Sequence, residues 1–183
     1  VQLSLTFSMV GLAVGQLVIG PLSDKYGRKK TLMASLVLFC ISTIGCLYAS
    51  DIYVFIFFRL LQGLSGAGGV VISKSIATDL YEGRELTRFF SMLSSVQGIA
   101  PVCAPVLGGV LLEVTDWKGI FWILVLIGIL LIMALAFFKE SLNNEQQHCG
   151  VFATFRNYIP VFQNAQFMRY VLVQAFAMGV MFT

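Results

Sequence analysis

The sequence predicts an all-α fold, a polytopic bundle of membrane-spanning helices. Three observations carry that prediction. First, the 183 residues are 58% hydrophobic and only 11% charged, with a mean hydropathy of +0.87, whereas a soluble domain carries about 25% charged residues. Second, the apolar residues gather in runs near the roughly 20 residues that a helix needs to cross the hydrocarbon core. Third, the charges gather between those runs. The densest island is Ser23-Asp24-Lys25-Tyr26-Gly27-Arg28-Lys29-Lys30, which holds four of the twelve Lys and Arg residues. A lipid-facing segment carries such charges only at high cost, so the island belongs at a membrane surface.

Taken in order, the runs give five full spans over 3–21, 31–49, 53–74, 89–112 and 119–138, which together make residues 1–138 one helical bundle. The first run is too long, and too promptly followed by a charged loop, for a signal peptide. Segment 139–166 is a polar linker, and 167–183 reads as the start of a further span. Within the linker, Phe152, Phe155, Tyr158, Ile159 and Phe162 have a helix-like apolar spacing. An interfacial amphipathic helix and a solvated linker packed on the protein both fit. Lys and Arg concentrate in loops 23–30 and 81–88 and in the linker 139–166, while Ser50-Asp51 has neither. The positive-inside rule therefore places those three segments in the cytoplasm. Trp117 and Trp122 flank the start of the fifth span, where an aromatic belt and simple packing both account for them.

Bulk properties narrow the function classes. The net charge of +3 comes from loop residues rather than a basic face, so no nucleic-acid partner is expected. Cys40, Cys46 and Cys103 lie in apolar runs and read as small hydrophobes. Cys149 beside His148 is too small a set to expect a metal. With no nucleophile–base pair and no metal cluster in view, the chain does not read as an enzyme.

Three polar constellations interrupt the apolar runs. In the first, Gly20, Leu22, Asp24, Gly27, Arg28 and Lys29 recur around the first loop. Asp24 meets the negative end of its own helix dipole and needs compensation, from Arg28 four residues on or from a neighbouring helix N-terminus. Gly27 permits a turn with positive φ. In the second, Arg59 lies six residues past Tyr53, about 9 Å into its helix. An intramembrane Arg marks a function or snorkels to the interface. Gln62, Gly63, Gly66 and Gly69 fall on or near its face. Lys74 lies roughly 22 Å beyond Arg59, where snorkelling explains it. In the third, Gly98, Pro101, Pro105, Gly108 and Gly109 break the fourth run. They line a pathway or serve close helix packing. Gly11, Gly15 and Gln16 give the first span a small-residue face. Gln16 and Gln97 are in-membrane polar groups that touch a substrate or bond between helices.

These constellations, in this order, resemble the major facilitator superfamily. The first loop is similar to the family's cytoplasmic signature. Arg59-Leu60-Leu61-Gln62-Gly63 is similar to the Arg motif of span four in proton-coupled members. Ala104-Pro105-Val106-Leu107-Gly108-Gly109 is similar to the antiporter motif Gly-Pro-x-x-Gly-Gly of span five, with Ala104 in place of the first Gly and Pro101 as an addition. Gly15-Gln16-Leu17, Asp79-Leu80-Tyr81 and the stretch from Ala100 to Gly109 look most like the bicyclomycin/chloramphenicol-resistance branch of drug:proton antiporters.

The resemblance implies an incomplete N-terminal half: spans two to six, the central linker and the start of span seven. It implies a multi-pass protein of the inner (plasma) membrane that exchanges a lipophilic small molecule for protons by alternating access. The proton gradient is the energy source and no cofactor takes part. It assigns Asp24, Gly27 and Arg28 to a cytoplasmic gate latch whose partner lies in the C-terminal half. It assigns Arg59 to proton coupling and Pro105, Gly108 and Gly109 to the shape of span five. Arg59 stays protonated and so is not itself the proton carrier, and no Asp or Glu lies deep in any of the five runs. A metabolite or sugar transporter of the same superfamily is the alternative. An ion channel or a non-transporting membrane subunit is the alternative of another class.

Overall fold

The computed structural model describes residues 2–137, 166, 168–173 and 176. The chain forms two units, Val1–Gln147 and His148–Thr183. The first is a bundle of five helices: α1 (Gln2–Tyr26), α2 (Arg28–Tyr48), α3 (Ile52–Leu80), α4 (Gly83–Val114) and α5 (Trp117–Ala136). In the second, residues 168–173 are helical. The predicted linker, apart from Gln166, and most of the predicted further span lie outside the described residues.

All five helices are long and apolar enough to cross a membrane. Helices are the expected answer to a solvent that offers no hydrogen bonds, because each span satisfies its own backbone. The helices absorb most of what reads as loop in the sequence. The charged island is the last turn of α1 and the first turn of α2, joined by Gly27 alone. Segment 81–88 reduces to Tyr81 and Glu82 before α4 begins, and α3 continues six residues past Lys74. Polar residues at a span's end extend its helix into the interface, where snorkelling side chains and water both serve them. Pro101 and Pro105 lie within the continuous α4.

Helices α1 and α3 make the closest pairing, α2 packs on α3 and on α5, and α1 meets α2 less extensively. Small residues set these distances. A Cβ on Gly11 would stand 2.2 Å from the Leu60 carbonyl oxygen, and one on Gly15 would stand 2.5 Å from that of Leu64. From the other side, a Cβ on Gly63 would stand 2.0 Å from the Ser8 carbonyl oxygen. Lipid competes for apolar surface as well as protein does, so association in a bilayer rests on close van der Waals contact of this kind. The α2–α3 crossing uses Gly68 against Ser35 and Gly45 against the Phe58 ring, and the α2–α5 contact sets Gly128 against Cys40.

Two clusters of buried side chains fill the bundle. Ile19, Ala67 and Ile72 form one, flanked by Leu12, Leu32 and Ile76. Cys46, Leu47 and Phe121 form the other, flanked by Phe55 and Phe58. Outside them the bundle exposes large apolar side chains on every helix, a surface suited to lipid and far beyond the patch a soluble monomer tolerates. Cys40 and Cys46 are buried as small hydrophobes, whereas Cys103 is exposed.

Helix α4 stands apart. It has no buried residue and touches α3 and α5 only slightly. A Cβ added to its Gly98, Gly108 or Gly109 would meet no other element within 4 Å among the described residues.

The glycine contacts give a stability test. Gly11→Ala forces its Cβ into the α3 backbone and should cost at least about 1–3 kcal/mol. Gly69→Ala enters open space and should be neutral. Thermal unfolding of the two full-length variants in detergent checks this; equal midpoints would sink the close-approach account.

Candidate functional site

Polar side chains collect at two places, one at each end of the bundle. The first lies where α1 ends, α2 begins and α3 ends. The chain reverses there in one residue, because Gly27 takes φ 94 and ψ 150, a left-handed conformation that a side chain would strain. The Gly27 N–H still donates to the Ser23 carbonyl at 3.1 Å. The turn carries Arg28 inward, leaving it only 7% exposed.

Buried there, the guanidinium has Ser23, Asp24 and Asp79 among its partners. Nη1 donates to Ser23 Oγ at 2.6 Å and meets Asp24 Oδ1 at 2.5 Å. Nε donates to Asp79 Oδ2 at 3.0 Å, on α3 and 51 residues away. Ser23 is fully buried and its hydroxyl donates a hydrogen bond to the Gly20 carbonyl at 2.8 Å. One arginine therefore ties three helix ends together. A buried charge needs such pairing, and a guanidinium with several donors in one plane is built for it.

Asp24 thus finds its counter-charge within its own turn, at Arg28, although its side chain keeps 38% exposure. Lys29, next in sequence, points elsewhere: its Nζ donates to the Ala136 carbonyl at the C-terminus of α5, 2.9 Å away. A lysine there answers an orphan carbonyl and the negative end of the helix dipole. Gly20 and Leu22 are half-buried at the end of α1.

The second place lies near the opposite end, where α1, α3 and α5 begin. Arg59 is half-buried and donates through Nη1 to Gln62 Oε1 at 2.9 Å. Gln62 is buried and donates in turn to Thr43 Oγ1 on α2, also at 2.9 Å. The Thr43 hydroxyl donates in turn to the Phe39 carbonyl. The Arg59 guanidinium carbon sits 5.7 Å from the Phe55 ring centre and 5.2 Å from that of Phe121. Such cation–π contacts are worth about 0.5–2 kcal/mol each, more when desolvated. Arg59 Nε is buried without a hydrogen-bond partner among the described residues. Beside it opens a cleft of about 390 Å³ with aromatic walls.

The small residues expected around Arg59 separate. Gly63 turns to α1, a Cβ on Gly66 would stand 4.0 Å from Leu12, and Gly69 faces open space. On α1, Gly11 and Gly15 are buried against α3 while Gln16 is exposed, so Gln16 does not share their face. Gln97 is exposed on α4. Because α1 and α4 do not touch, the two glutamines are not brought together. Pro101 and Pro105 are exposed, as are Gly98 and Gly109, while Gly108 is half-buried.

Sequence reasoning missed Ser23, Asp79 and Thr43. Ser23 was visible in the charged island, but its role depends on burial. Asp79 and Thr43 lie 51 and 19 residues from their partners, separations that no local pattern connects. The described residues include no group of three or more His, Cys, Asp or Glu able to hold a metal.

Residues 1–183 match the sequence model of the Major Facilitator Superfamily. The chain is 38% identical to "Uncharacterized MFS-type transporter YdgK" of Bacillus subtilis, over 98% of this chain and 46% of that protein. It is 29% identical to "Bicyclomycin resistance protein homolog" of Haemophilus influenzae, over 100% of this chain and 46% of that protein. It is 32% identical to "Multidrug resistance protein MdtL" of Escherichia coli, over 76% of this chain and 37% of that protein. The chain thus spans less than half the length of these relatives.

The arginine tie predicts energetic coupling. In the full-length protein, Arg28→Gln and Asp79→Asn should be non-additive, with an interaction energy of about 0.5–3 kcal/mol. Unfolding measurements on the two single variants and the double variant supply the cycle; strict additivity would refute the tie.

Proposed function

The chain belongs to the Major Facilitator Superfamily, and on that footing we propose that the full-length protein exports lipophilic small molecules by drug:proton antiport. The observation that carries the drug reading is the pair of relatives named for bicyclomycin and multidrug resistance, at 29% and 32% identity.

In this reading the five described helices are most of one half of a transporter. Transport is alternating access, with two helical halves rocking about a site near the middle of the bilayer. Rocking demands that each half move as a unit. The Asp24–Arg28–Asp79 contacts, together with Lys29 on the α5 terminus, bind four helix ends at one side. That side is the cytoplasmic one by its charge, in an inner (plasma) membrane.

Asp24 has the part of a latch. It keeps a partly exposed carboxylate at the rim while Arg28 is held inside, so its free face is available to the C-terminal half. A negative group at that rim suits the positive N-terminus of a helix docking from the other half.

Helix α4 has the complementary part. Its Gly98, Pro101, Pro105, Gly108 and Gly109, none of them buried, offer a surface against which helices outside the described residues approach closely. Arg59 serves proton coupling without carrying the proton, by holding a fixed positive charge beside the path. The carrier is a group in a span of the full-length protein outside these residues, in its C-terminal half or on the substrate, because every Asp and Glu among the described residues lies near a helix end.

Reconstitution of the full-length protein tests this reading. Export of a lipophilic drug from proteoliposomes should require an imposed pH gradient and collapse with an uncoupler. Arg59→Ala should abolish the gradient dependence. Asp24→Asn should shift accessibility labelling between inward and outward states. Gradient-independent exchange of a sugar or other metabolite, or a continuous ionic conductance, would replace the proposal with another function.

A further inference from the structure

We propose that Thr43 is a positioning residue for Arg59: its hydroxyl, acting from α2 through the Gln62 side chain, fixes where the Arg59 charge stands on α3. The inference rests on the proton-coupling part given to Arg59 above. It adds to that part a residue on another helix, one that makes no hydrogen bond to Arg59 itself.

The three bonds have a forced direction. A guanidinium only donates, and a backbone carbonyl only accepts. Arg59 Nη1 therefore meets the oxygen of the Gln62 amide, 2.9 Å away. That leaves the Gln62 nitrogen to face α2, where it donates to Thr43 Oγ1 at 2.9 Å. A hydroxyl both accepts and donates, and that of Thr43 donates to the Phe39 carbonyl at 2.6 Å. Each bond sets the polarity of the next, from a carbonyl of α2 to the charge on α3.

Thr43 is suited to this part by its surroundings. It is fully buried and Gln62 nearly so, covered by the described helices themselves. A helical threonine divides between two rotamers, and the bond to the carbonyl four residues back selects one of them. The crossing is also close where the hydroxyl is needed. Gly45 leaves room for the Phe58 ring, and Phe58 and Gln62, four residues apart, share the face of α3 turned to α2.

The consequence for Arg59 is directional. Phe55 and Phe121 attract the guanidinium carbon to their rings, a contact set by distance to the ring and not by a hydrogen-bond axis. The bond to Gln62 has such an axis. With its Thr43 acceptor removed, the Gln62 nitrogen is a buried donor left unpaired. Turning the amide over aims that nitrogen at a guanidinium, which has nothing to accept with. Arg59 then loses its hold on Gln62, and its charge is no longer referred to α2.

Unfolding of the full-length protein in nanodiscs tests the positioning apart from transport. Thr43→Val is nearly isosteric and removes the hydroxyl, whereas Thr43→Ser keeps it. Where Thr43→Val fails to accumulate, Thr43→Cys takes its place, because a thiol is a weak acceptor. The unfolding midpoints of Thr43→Val, Arg59→Met and the double variant should be non-additive, since without the guanidinium Gln62 is free to turn over. In a Gln62→Leu background the same pair should become additive. Thr43→Ser should unfold near the wild type. Transport gives the second readout: in proteoliposomes Thr43→Val should lose most of the gradient-driven share of export, and Thr43→Ser should keep it. Additive midpoints for Thr43→Val and Arg59→Met overturn the proposal whatever transport does. So does coupling that persists in the Gln62→Leu background, full gradient-driven export by Thr43→Val, or Thr43→Ser behaving as Thr43→Val. Wild-type export that ignores the gradient refutes the antiport reading alone, and the unfolding cycle still decides whether Thr43 positions Arg59.

Discussion

Backbone meets backbone where α1 crosses α3. Gly11, Gly15 and Gly63 leave room for carbonyl oxygens that a single methyl group would strike. In water such a crossing would be one contact among many, with the hydrophobic effect supplying most of the drive. In lipid the drive comes from shape, because tails solvate leucine as well as a neighbouring helix does. The α1–α3 pair is therefore the spine of the bundle. Helix α2 lies across it through Gly68 and Gly45, and α5 reaches it only through α2 and the aromatic cluster at Phe121.

The polar residues follow from the same constraint. A span buries its own backbone bonds and has little use for charge, so each charge has to be placed. At one end the chain reverses through a single left-handed glycine, and the following arginine turns in beneath three helix ends. At the other end an arginine lies one and a half to two turns inside α3, flanked by two aromatic rings and held by a glutamine that is itself fixed by a threonine. The first cluster is closed, with its donors matched by a serine and two aspartates. The second is open, with a donor left over and a cleft beside it.

Much of this was legible in the sequence. The five runs became five helices because hydrocarbon thickness fixes span length and forbids irregular backbone. The placement of charge at helix ends followed from its cost in lipid. Gly27 could be read because a one-residue reversal between two helices leaves few conformations, and only glycine enters the left-handed one freely. The loops read too long, since a helix does not stop where hydrophobicity stops. It continues until a cap or a turn ends it, and Asp24, Lys25 and Tyr26 are helical for that reason. The face assigned to Arg59 also divided: Gly63 and Gln62 turn to different neighbours, α1 and α2, and a helical wheel does not say which neighbour stands where.

The sequence alone determined that this is a membrane bundle, where its helices run, which residues are charged within or beside the bilayer, and which family it resembles. Those follow from solvent physics acting on short stretches, and a short stretch is what a sequence displays. Only the tertiary structure decided that Arg28 reaches Asp79 across 51 residues, that Gln62 is held by Thr43, that Lys29 reaches the end of α5, and that α4 finds little to pack against among the described helices. Pairings of that kind depend on which helices become neighbours. The choice is made by the fit of many small side chains at once, and no single segment encodes it.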